Sequence, residues 1–133
     1  MKRSDAAQVQ HKFDPKDILY LTGDANYSTV YLRNGQAILT SRTLKWYCER
    51  WPQFLRAHKG NLVNPAHIHS CIVVSSIEAH LVMNNGARLA VGRRRINEVV
   101  DQLGIALSKY SGINTHMIKP DWRSFALAQV QLA

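Results

Sequence analysis

Three arginines in succession, Arg93, Arg94 and Arg95, stand between a strand-like run and a helix-like run. Cations at a helix start oppose the helix macrodipole, so the placement costs helix stability and points to another use. Arginine presents a planar fork of donors that suits phosphate and the edge of guanine. The alternative reading is a solvated charged face. A second group, Arg56-Ala57-His58-Lys59-Gly60-Asn61, alternates as a strand would and carries many donors with little to bury. Its alternative is a polar edge strand.

Other chemistries are less well provided for. His58, His67, His69 and His80 raise the question of a metal, and His67 and His69 would share one strand face. No third and fourth ligand follow at a recognisable spacing, and neither cysteine has a ligand partner nearby. No metal or other cofactor is therefore expected. Paired carboxylates, a Ser-His-Asp set and a glycine-rich phosphate loop do not stand out. Gly92-Arg93 follows a strand, but the Walker pattern of GxxxxGK and a hydroxyl residue is absent. An enzyme is not expected.

The bulk properties narrow the field further. Seventeen Lys and Arg face nine acidic residues, a formal net charge of +8, which favours a polyanionic partner. With 46% hydrophobic residues over 133 positions, the chain is expected to fold as one domain without disulfides. No stretch approaches the roughly 18 apolar residues of a membrane span. The first residues lack the apolar core of a signal peptide, so the cytoplasm is the expected compartment and no membrane partner is expected. Cys48 and Cys71 read as buried small hydrophobes.

The elements that must position these groups read as mainly β. Residues 1–16 form a polar, flexible leader, and strands follow over 18–21, 27–32 and 36–40. In the second, Ser28, Val30 and Leu32 share one face and Tyr27, Thr29 and Tyr31 the other. Asn34-Gly35 predicts a two-residue hairpin. Leu44, Tyr47, Cys48 and Trp51 make one face of a helix over 43–51, which Pro52 ends. Short strands are predicted over 54–63 and 68–77, then a hairpin of 80–83 and 88–91 about Asn84-Asn85-Gly86. A second amphipathic helix after Arg93 uses Ile96, Val99, Val100 and Leu103, with Gly104 as terminator. Residues 105–133 form a C-terminal extension in which Asp121 could cap a short helix carrying Trp122, Phe125 and Ala126.

At this point the chain resembles the LytTR family of bacterial DNA-binding domains over about residues 18–103. The segments that carry the likeness are Ile18-Leu19-Tyr20-Leu21 with Asn26-Tyr27, then 54–65 from Phe54 to Pro65 with Ile68, then Asn85-Gly86 and Leu89-Ala90-Val91-Gly92-Arg93-Arg94. The resemblance implies a mainly β, elongated multi-stranded fold with two short helices, spanning residues 17–104. It implies sequence-specific binding of double-stranded DNA, with loops entering successive major grooves, in a bacterial transcription regulator of the two-component response-regulator type. The DNA contacts it implies, taken with the basic clusters, are Asn26, Tyr27, His58, Lys59, Asn61, Arg93 and Arg94. Asn64 matches a position that closes a turn by bonding backbone groups. Gly60 and Gly92 stand where the family usually has serine, so neither position offers a hydroxyl to phosphate.

A receiver domain does not fit beside this module in 133 residues, so no phosphoacceptor is expected in the sequence. The chain is either a piece of a longer regulator or a separate one under another upstream signalling partner. The free protein is expected to be largely monomeric and to pair, if at all, on repeated DNA half-sites. Two other readings stay open. One is a protein-interaction or dimerisation module using Tyr110, Trp122, Phe125 and the helix over 43–51. The other is single-stranded RNA binding by stacking on Tyr20, Tyr27 and Tyr31.

Overall fold

A computed structural model describes residues 12–104 and 114–117. Among the described residues nine strands form two antiparallel sheets. The first sheet holds β1 (Ile18–Asp24), β2 (Tyr27–Leu32), β3 (Ala37–Thr40), β4 (Leu55–His58) and β5 (Asn61–Val63), in the order β3-β2-β1-β5-β4. The second holds β6 (Ile68–Ser75), β7 (Glu78–Met83), β8 (Arg88–Val91) and β9 (Asn114–Met117), in the order β8-β7-β6-β9. Helix α1 spans Leu44–Arg50 and helix α2 spans Ile96–Gln102. The expected mainly β fold with two short helices is what the structure has.

The alternation in β2 sorts its side chains as expected. Ser28 and Val30 are buried toward α1, in a cluster of Ile18, Leu21, Val30, Leu44, Tyr47, Trp51, Phe54 and Leu62. Tyr31 faces the other way and stacks on Tyr20 at 4.4 Å, against the core shared with the second sheet and α2. Helix α1 starts where Thr43 Oγ1 accepts from the Trp46 amide, and its apolar stripe of Leu44, Tyr47 and the following Trp51 is spent on the core. The apolar stripe of this helix is therefore not available as the docking face that one reading required.

Helix α2 buries Ile96, Val99, Val100 and Leu103, and Gly104 follows with a φ of 71°, the left-handed conformation that suits a helix end. Cys71 is fully buried and Cys48 is half-buried. Asn64 closes a turn by accepting from the Ala66 amide and donating to the carbonyls of Pro15 and Ile18, as the family resemblance implied. Within the segment read as a leader, Asp14 caps a short 3-10 turn of Pro15–Asp17, and the Phe13 ring meets Trp51 edge-on at 6.3 Å.

Three local expectations need correction. The Asn34-Gly35 hairpin uses a three-residue loop, not two, and matches the loop of Asn84-Asn85-Gly86 in the other hairpin. Leu32 and Met83 each donate to the carbonyl four residues on, Gln36 and Ala87, and only Gly35 and Gly86 have positive φ. A two-residue type I′ turn needs two such residues, whereas a type I turn closed by one left-handed glycine needs one. Second, residues 54–63 are not one strand but a tight hairpin that turns at Lys59-Gly60. Third, Asn114–Met117 pairs with β6, so part of the C-terminal extension joins a sheet. The short helix expected around Trp122 lies outside the described residues.

Candidate nucleic-acid interface

Two hairpin tips and one strand-to-helix junction carry the candidate contacts. At the first tip, Ala25 and Asn26 turn β1 into β2, and Ala25 sits at a φ of 57°, an uncommon conformation for a residue with a Cβ. Asn26 is exposed and Tyr27 is 53% exposed. At the second tip, His58 and Arg56 hold the backbone. The Gly60 amide donates to His58 Nδ1 at 2.9 Å. Arg56 donates through Nε to the His58 carbonyl at 3.0 Å and through Nη2 to the Lys59 carbonyl at 2.7 Å. Three bonds thus fix a two-residue turn and leave the Lys59 side chain in solvent.

The junction follows β8. The Gly92 amide donates to the Ala57 carbonyl at 2.7 Å, and the Arg95 amide returns to the Gly92 carbonyl at 2.7 Å, closing a 3-10 turn of Arg93–Arg95. No side chain caps this turn or α2 behind it. Arg93 and Arg94 are exposed, and among the described residues neither they nor Lys59 pairs with a carboxylate. Arg95 is half-buried, with Nη1 3.5 Å from the Arg56 carbonyl, at the long limit for a hydrogen bond.

Backbone bonds bring the three together. The Gly23 amide donates to the Gly60 carbonyl at 3.0 Å, which sets the first tip beside the second, and Gly92 to Ala57 sets the junction against β4. Gly23 has to be glycine because a Cβ there would collide with the Leu44 side chain. Gly92 does not. A Cβ would find its nearest neighbour, Arg95 Cδ, at 3.5 Å, an ordinary contact. Sequence reasoning passed over Gly23 and Ala57, whose backbone groups do the joining.

Of the seven expected contacts, Asn26, Tyr27, Lys59, Arg93 and Arg94 stand exposed at these three places. His58 is half-buried and spends Nδ1 on the turn. Asn61 departs from the expectation. It is 5% exposed, and its Nδ2 donates to the Ala90 carbonyl at 3.0 Å, bridging the two sheets. Its Oδ1 is buried and meets no hydrogen-bond partner among the described residues. The physical reason is register: Asn61 pairs with Thr22 and His58 inside the sheet, so its amide points inward toward β8.

His67 and His80 are engaged locally. His67 Nε2 lies 2.7 Å from the Lys16 carbonyl, and His80 Nε2 lies 3.2 Å from Glu78. Among the described residues no group of three or more His, Cys, Asp or Glu could hold a metal ion. The stacking platform for RNA is not assembled either. Tyr20 is 8% exposed beneath Tyr31, which leaves Tyr27 as the one open ring of the three.

The comparison with known families decides what this arrangement belongs to. The profile of the LytTr DNA-binding domain matches residues 8–104. The chain belongs to that family. The transcriptional regulatory protein BtsR of Escherichia coli (strain K12) is 28% identical over 90 residues, 68% of this chain and 37% of that protein. BtsR of Shigella flexneri matches to the same extent. The chain thus spans just over a third of the length of these curated relatives. A solved LytTr DNA-binding domain of a methyl-accepting/DNA response regulator from Bacillus cereus superposes with a TM-score of 0.64. It is 21% identical, and the match covers 70% of this chain and 86% of that one, a likeness of fold. No helix among the described residues is long and apolar enough to cross a membrane.

Proposed function

We propose that this LytTr domain binds double-stranded DNA selectively, as the DNA-reading part of a bacterial transcription regulator acting in the cytoplasm. The observation that carries the reading is the set of cations Lys59, Arg93 and Arg94, without carboxylate partners among the described residues, held beside Asn26 and Tyr27 by the Gly23–Gly60 and Gly92–Ala57 bonds. A cluster of cations on loops of fixed shape is suited to phosphate and base edges, and the net charge of +8 supports a polyanion. Arg93 and Arg94 read guanine in the major groove, Lys59 grips phosphate, and the tip of Asn26 and Tyr27 enters beside them. Asn61 and His58 support this surface by fixing the hairpin and its distance from the second sheet. The protein is monomeric when free and occupies repeated half-sites one helical turn apart, under the control of an upstream signalling partner. It performs no catalysis and uses no cofactor.

A mobility shift of the whole chain on random duplex DNA, followed by selection of the retained sequences, tests this reading. Enrichment of a repeated motif in the duplex pool supports it. Retention of single-stranded RNA in preference to duplex, or no enrichment from the pool, overturns it.

A further inference from the structure

A second basic surface lies next to the first tip. The buried Ser28 hydroxyl donates to the Arg42 carbonyl at 2.7 Å. Ser28 stands opposite Gly23 in the β1–β2 ladder, and Gly23 in turn bonds Gly60 and lies against Leu44. Residues 42–45 are therefore anchored to the end of the sheet that carries Tyr27 and Lys59. Thr43 fixes the path between them by capping α1.

The side chains on this segment are cationic and open. Arg42 and Lys45 are exposed, and among the described residues neither has a carboxylate partner. The Arg42 guanidinium lies over the Trp46 ring, 4.5 Å from its centroid, and that of Arg50 lies 5.3 Å from the same centroid. Stacking on an indole orders a guanidinium while leaving its N–H edge free for a ligand. Two like charges sharing one ring repel each other, and a polyanion alongside relieves that repulsion. Glu49 is the only acid within residues 41–53, against Arg42, Lys45 and Arg50.

We propose that Arg42 and Lys45 form a phosphate-binding flank of the DNA interface, gripping the backbone beyond the bases read by the loops. The proposal rests on the DNA-binding reading above and adds a contact surface to it. Its role is grip without sequence preference, since no base edge is needed to satisfy a guanidinium stacked on Trp46.

The test compares the parent with Arg42→Gln/Lys45→Gln in titrations of a selected and a scrambled duplex across a range of salt. Arg33→Gln is the control. It removes one cation beyond the opposite end of β2, where Arg33 pairs with Asp17 at 3.1 Å. The double variant is expected to bind both duplexes more weakly by the same factor. Its log–log salt slope is expected to fall by about two, one for each lost phosphate contact. Arg42→Lys keeps the charge and is expected to keep the slope, as is Arg33→Gln. Lys45→Gln alone leaves the Trp46 stack untouched and is expected to lower the slope by about one, which keeps the test open if the double variant melts early. A parent-like slope for both Lys45→Gln and the double variant, with Arg93→Ala still losing site preference, overturns the flank and leaves the reading of function standing. Duplex binding by the parent that does not respond to salt overturns both.

Discussion

The amide of Gly92 donates to the carbonyl of Ala57 at 2.7 Å, so the arginine turn that follows the second sheet hangs directly from the edge strand that leads into Lys59. Space does not require a glycine at the residue that makes this bond. Gly92→Ser is expected to leave the melting temperature unchanged, since its Cβ meets nothing closer than 3.5 Å. The added hydroxyl, beside Arg93, is expected to strengthen duplex binding. Gly23→Ala is the contrast. Its Cβ would enter the Leu44 side chain, and overpacking of this kind costs about 1–3 kcal/mol. Thermal melts of the two variants check both expectations, and a destabilised Gly92→Ser would show that the turn needs glycine.

Asn61 gives up stability to make its bridge. Its Oδ1 is buried and has no partner among the described residues, while Nδ2 reaches the Ala90 carbonyl. Asn61→Leu removes an orphaned acceptor and is expected to hold or raise stability by about 1 kcal/mol. It also removes the strut between the Lys59 hairpin and the Arg93 turn, so selective binding is expected to weaken. Denaturant unfolding alongside duplex titration measures the two effects separately. A large loss of stability would mean that the bridge holds the fold itself.

Alkaline pH is expected to loosen the core through three buried acids. Burial pushes the Cys71 thiol up from 9.0 to about 11, and burial likewise raises the Tyr20 and Tyr47 hydroxyls, with the Thr40 hydrogen bond opposing at Tyr47. Each folded group holds its proton to higher pH than the unfolded one, so the folded state binds more protons between the two values. The stabilisation is complete below pH 9 and is lost as pH rises toward 11. Unfolding free energies across that window are expected to fall, and Cys71→Ala is expected to flatten part of the decline. A thiol reagent at neutral pH is expected to label the half-buried Cys48 well before Cys71.

Much of the fold was legible because its signals are local. Thr43, the stripe of Leu44, Tyr47 and Trp51, and Pro52 together specify α1, and no distant residue is needed to see it. Both Asn-Gly turns were legible in position, but the length of the loop at Asn34-Gly35 was not, because loop length depends on the flanking register. The turn at Lys59-Gly60 was hidden in a polar alternating run with no apolar break to mark it. The first tip was legible as the polar stretch Gly23-Asp24-Ala25-Asn26 between two strands, but the positive φ was not placed at Ala25, a conformation for which glycine or asparagine is the usual sign. The clusters Lys59 and Arg93-Arg94 were visible from charge. That Asn61 faces inward was not, because its partner Ala90 lies 29 positions away.

The proposed function assigns base reading to Arg93 and phosphate grip to Lys59. The measurement is binding of the parent, Arg93→Ala and Lys59→Ala to a selected duplex and to its scramble across a range of salt, with thermal melts alongside. Arg93→Ala is expected to lose about 1–3 kcal/mol on the selected duplex and little on the scramble. Lys59→Ala is expected to weaken both equally and to reduce the salt slope by about one. Both side chains are exposed, so neither variant is expected to melt early. Parent-like binding of Arg93→Ala to the selected duplex, or a substantially lower melting temperature for that variant, would contradict the account.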